Sequence, residues 1–162
     1  MPGQLISLMQ KLTVAYKELA AVAAVKSEMI VKGDAAELQV SVNNERTLNE
    51  TAENLEKQLV DAGARYLNTQ GIVKENATVS EILPYLPEED GETIETLRTE
   101  LLDSVQQFSE RHEQNRRLLD ESLRFVNMSL DAIVPKQHNG NYSSNGKEQA
   151  GTAKRALFDS RA

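Results

Sequence analysis

The sequence predicts an all-α fold, an elongated antiparallel bundle of three long helices with a short connecting helix and a disordered C-terminal tail. Three observations lead there. The 162 residues are 40% hydrophobic yet only 4% aromatic, so the apolar side chains are mainly aliphatic and suited to helix packing. Apolar residues recur at spacings of three and four along most of the chain, the signature of amphipathic helices. Helix stop and start signals then cut the pattern into long runs.

The first run extends from Gln4 to Lys32, with Leu5, Met9, Leu12, Tyr16, Leu19, Ala23 and Ile30 on one stripe and Lys26 its one polar member. Gly33 supplies a left-handed stop, and Asp34 offers an N-cap with Glu37 three residues on. One helix should therefore follow another through a tight corner. The second run, from Ala35 to Tyr66 or Asn68, carries Leu38, Val42, Glu45, Leu48, Ala52, Leu55, Leu59, Ala62 and Tyr66, and Gly63 and Gly71 should weaken its far end. Residues 71 to 91 are punctuated by Gly71, Pro84, Pro87 and Gly91, but Thr78 and Glu81 form a capping box ahead of Ile82, Leu83 and Leu86. A single short helical turn is expected there.

The third long helix begins between Glu88 and Glu92 and reaches Val134, where Pro135 ends it. Glu88, Glu89 and Asp90 put negative charge at its N-terminus, where the helix dipole favours it. Its stripe is Ile94, Leu97, Leu101, Val105 and Phe108, then Leu119, Leu123, Val126, Leu130 and Ile133 after an interruption. The interruption, "SERHEQNRR" from Ser109 to Arg117, reads as polar on every face, so the portion from Leu118 on is expected to project beyond the packed helices. The domains are then 1–134, a helical bundle, and 135–162, a flexible basic tail rich in Gly, Ser and Asn.

Charge and composition exclude several classes of function. The net charge is -7; the tail carries five basic residues against two acidic, a net +3, which leaves -10 on the bundle. An acidic body of this kind repels nucleic acid and anionic lipid. No run is apolar enough to enter a membrane, and the N-terminus lacks a signal-peptide pattern. With no Cys there is neither a disulfide framework nor thiolate chemistry. His112 and His138 are the only histidines, too few for a zinc site, so no metal, cofactor or catalytic residue is expected.

Two features invite sharper readings. His112 on a helix resembles the nucleophile of a histidine phosphotransfer domain, but such domains keep a basic residue and then a glycine just after it, and Asn115 and Arg116 stand there. A solvated helix face is the plainer reading. In the tail, Tyr142, Leu157 and Phe158 are apolar groups without a core. They are either incidental exposed residues or anchors of a segment that orders on binding, with Thr152 as N-cap of a short helix. A Leu157-Phe158 docking motif would seat on the bundle itself or on a partner.

Taken together, the sequence resembles the FlgN-type flagellar export chaperones. The resemblance rests on "KGDAAEL" (Lys32 to Leu38), on Glu45, Arg46 and Leu48 after it, and on "QNRRLLDESL" with Gln114, Asn115, Leu118, Leu119 and Leu123. Tyr142 and Gly146 in the tail add to it, as does the closing "RALFDSRA", which looks like the end of relatives from Gram-positive bacteria. It implies a non-enzymatic cytoplasmic chaperone that holds the C-terminal amphipathic helices of hook-filament junction proteins and delivers them to the cytosolic domain of the flagellar type III export gate.

On that resemblance Asn115, Leu118, Leu119 and Leu123 fall in the segment that binds the client, and Val126, Leu130 and Ile133 continue its stripe. Tyr142 matches the residue that docks on the export gate. Arg116 and Arg117 make the start of the client segment cationic. The alternatives are a phosphotransfer or other signalling bundle, and a structural coiled-coil adaptor. A homodimer through the same stripe is a further state open to the free chain.

Overall fold

The computed structural model describes residues 1–133, all of whose regular structure is helical. The sequence-predicted tail, with Tyr142, Leu157 and Phe158, lies outside these residues, as do His138 and Thr152. Among the described residues, no helix is long and apolar enough to cross a membrane.

Helix α1 spans Pro2–Lys32, two residues earlier than its apolar stripe suggests, because Pro2 lacks only an N–H that the first turn leaves unbonded anyway. It ends in a left-handed Gly33 at φ 71°, with Gly33 N–H donating to Ile30 O and Asp34 N–H to Met29 O, both at 3.2 Å. This closes the last carbonyls in a Schellman motif and turns the chain within two residues. Asp34 Oδ1 then accepts from Glu37 N–H at 3.1 Å, starting α2, Ala35–Thr69.

The corner makes α1 and α2 an antiparallel hairpin. Leu12, Ala15 and Leu19 of α1 bury against Ala52 of α2, with Tyr16, Leu48 and Leu55 half-buried around them. Toward the corner the inner face of α2 is Ser41 and Glu45 rather than Val42, which is exposed. Spacings of four and three carry the seam from Ser41 through Glu45, Leu48 and Ala52, which places Val42 just outside it.

Gly63 does not weaken α2 in the expected way, since the helix passes through it unbroken. A Cβ there would lie 2.7 Å from Ile82 Cδ1 and 3.3 Å from Ala77 Cβ, so the glycine is what lets the loop after α2 lie on that helix. That loop contains the expected short helix α3, Val79–Ile82, extended by a 3-10 turn over Leu83–Tyr85. The Thr78–Glu81 capping box forms, with Thr78 N–H donating to Glu81 Oε2 at 3.0 Å. Tyr66 Oη donates to Tyr85 O at 2.7 Å and ties the 3-10 turn to α2. Around this junction Leu5, Leu8 and Met9 pack with Ala62, Tyr66, Leu67, Ile82 and Ile94.

Helix α4, Glu88–Ile133, is the longest element, with Glu88, Glu89 and Asp90 in its first turn. It runs parallel to α1, since the facing pairs Tyr16–Phe108 and Ala23–Asn115 share an offset of 92 residues. The chain divides into two units after Phe125, and α4 crosses the division.

Candidate functional site

The site is built from the middle of α4 outward. Ile94, Leu101, Phe108 and Asn115 stand seven residues apart, and at 3.5 residues per turn they stay on one seam facing the hairpin. Phe108 contacts the Tyr16 ring, centroids 6.2 Å apart and tilted by 58°. The Tyr16 hydroxyl donates to Glu56 Oε1 at 2.7 Å, and burial, this hydrogen bond and the nearby carboxylates push its pKa up to about 12. Past this layer α1 still buries Leu19, Ala23 and Ile30.

Beyond Phe108 the bundle holds a band of polar side chains. Lys26 Nζ lies 3.3 Å from Glu45 Oε2, both side chains nearly out of water, and the other carboxylate oxygen of Glu45 lies 3.4 Å from His112 Nδ1. One turn on, Asn115 is 1% exposed. Its Nδ2 donates to Ala23 O at 2.8 Å, and the Ser27 hydroxyl sits against its Oδ1. No buried side-chain nitrogen or oxygen among the described residues lacks a hydrogen-bond partner.

Two sequence expectations change here. The stretch Ser109–Arg117 is not polar on every face in its surroundings, because Asn115 occupies a core position and its amide is satisfied by an α1 carbonyl. Asn115 is also turned inward, apart from the leucines with which the resemblance groups it. The heptad spacing from Ile94 is the signal that marks it as a seam residue. His112, the candidate nucleophile of the phosphotransfer reading, keeps about half its side chain exposed, with its ring 5.7 Å from that of Phe108.

After Asn115 burial falls away along α4. Leu118 and Leu119 are half-buried. In the first unit Leu123 is 61% exposed; in the second, Val126, Leu130 and Ile133 are 51%, 52% and 76% exposed. Within the second unit the spacings of four and three from Val126 to Ile133 are those of one helical face. Phe125 and Met128, which the sequence stripe leaves out, are each 71% exposed. Phe125 could have been noticed as one of only three Phe, placed in the segment with the least to bury it.

A well-formed helix that carries large apolar side chains in water suits the recognition of another helix or apolar segment. The class to which fold and comparison point is the flagellar export chaperones. The FlgN protein family matches residues 1–150, and the chain belongs to that family. It is also similar to the uncharacterized protein YvyG of Bacillus subtilis (strain 168), at 27% identity over 98% of this chain and 97% of that protein. No solved structure matches it.

Proposed function

We propose that this chain is a cytosolic export chaperone whose α4, from Leu118 on, holds the C-terminal amphipathic helices of hook-filament junction proteins and delivers them to the export gate. The observation that carries the reading is the exposure of Leu123 in the first unit and, at the four-and-three spacing of one helical face, of Val126, Leu130 and Ile133 in the second. Such a stripe matches the i, i+3, i+4, i+7 anchors by which amphipathic helices are recognised. Burying a leucine is worth about 1.5–3 kcal/mol, so a few anchors suffice for a complex whose ordering cost keeps it releasable. Tyr142 is proposed to contact the cytosolic domain of the gate, and Leu157 and Phe158 to dock on the chaperone or on an export component. No catalytic step is required of any residue.

Calorimetry with C-terminal peptides of the junction proteins from the same organism tests this. The wild type should bind, and Leu123→Ser combined with Leu130→Ser should weaken binding tenfold or more, since about 1.4 kcal/mol already corresponds to tenfold. The thermal midpoint should barely move, because both residues are exposed. Failure of the wild type to bind any junction-protein peptide would overturn the reading.

A further inference from the structure

The geometry points to Asn115 as a positioning residue of the client site, one that fixes the register of α4 on α1 and so places Leu118 and Leu119 without touching the client. This inference rests on the client reading above. Of the three buried residues of α4, Ile94 is apolar and Ser104 hydrogen-bonds to Glu100 O of its own helix. Asn115 alone of the three bonds to another helix.

The chemistry of the contact makes it position-specific. Asn115 Nδ2 donates to Ala23 O at 2.8 Å, and the Ser27 hydroxyl, whose one proton serves a single acceptor at a time, lies 3.1 Å from that carbonyl. Asn115 Oδ1 in turn meets the same Ser27 hydroxyl. Donor and acceptor of one amide are thus matched to groups one turn apart on α1. A slide of α4 by one heptad, about 10 Å along the axis, would bring Phe108 or Ser122 to these groups, a ring with nothing to offer them or a hydroxyl too short to span both. Leu, Ile and Phe seams tolerate such a slide far better, which is why a buried Asn specifies register in helical assemblies at a cost in stability.

Leu118 and Leu119 follow within the next turn of α4, so their placement beside the hairpin is inherited from this bond. Functional and positional signals therefore sit next to each other in "QNRRLLDESL", with different tasks.

Asn115→Leu separates the two. It fills similar volume, completes the apolar seam and removes both hydrogen bonds. We expect an unchanged or raised thermal midpoint together with at least tenfold weaker binding of a junction-protein peptide, a divergence that general destabilisation would not produce. Ser27→Ala, a change of good helix propensity that leaves the amide–carbonyl bond in place, should weaken binding a few-fold, and the double variant should bind no worse than Asn115→Leu alone. Affinity within twofold of wild type in both single variants would overturn the inference.

If the wild type itself fails to bind, the client reading falls, and register is then judged by hydrogen exchange of the unliganded chains. Two exchanging populations over residues 115–125 of Asn115→Leu, against one in wild type, support the lock. One population with wild-type protection overturns it.

Discussion

The two ends of the bundle in the first unit solve the same packing problem with opposite chemistry. At the α3 end, Leu5, Met9, Tyr66, Leu67, Ile82 and Ile94 close on one another, and Gly63 removes a side chain to let them do so. Near the α1–α2 corner the buried Ala23 and Ile30 are joined by Lys26, Ser27, Ser41, Glu45 and Asn115. Apolar packing contributes stability without direction, whereas a satisfied polar band contributes little net stability and accepts one arrangement only. The end that needs strength is apolar, and the end next to the exposed leucines is the one that is specified.

The largest effect that would break this comparison is at the closed end. Leu67→Ala should cost about 2–5 kcal/mol in urea unfolding, since Leu67 is 1% exposed and belongs to the buried cluster with Tyr66 and Ile82. A loss under about 1 kcal/mol would mean the apolar end is not the source of stability.

Next in size is the polar band. Lys26→Met leaves the buried Glu45 carboxylate with His112 alone, and should cost about 3 kcal/mol, the low end for breaking a buried pair. Lys26→Met combined with Glu45→Met should recover to within about 1 kcal/mol of wild type, because two apolar side chains replace the pair without stranding a charge. A double variant as unstable as the single one would show that the ion pair itself is a large net stabiliser.

The smallest effect sharpens the contrast on the surface of the closed end. Lys74 Nζ and the Thr78 capping bonds hold the Glu81 carboxyl at a pKa of about 2. A folded-state pKa below the unfolded value means the clamp contributes fully above about pH 4.5 and is lost as pH falls toward 2. Carboxyl NMR should show a Glu81 midpoint near 2 that rises in Lys74→Met, while the segment from Leu118 on is unaffected. A Glu81 midpoint at the ordinary value in wild type would remove the Lys74 contact from the account.

Much of this was legible in the residues. Gly33-Asp34 forces the corner, because few residues other than glycine accept a left-handed backbone there and Asp34 caps the first turn of α2. Thr78 and Glu81 announce α3 by a local reciprocal bond, and periodicity three and four names the long helices. These are interactions within a few residues, so the order of residues alone determines them.

The features that stayed open in the sequence depend on residues from other elements. Gly63 reads as a weakness until Ile82 and Ala77, nineteen and fourteen residues away, are set against it. Val42 reads as the inner residue until packing puts Ser41 there instead. Asn115 reads as polar surface until Ala23, 92 residues earlier, offers a carbonyl. A side chain's polarity states what partner it needs, and only tertiary packing settles whether that partner is water or another helix. Residue order therefore set the helices and the apolar stripe, and the packing of α1, α2 and α4 selected which polar residues belong to the core.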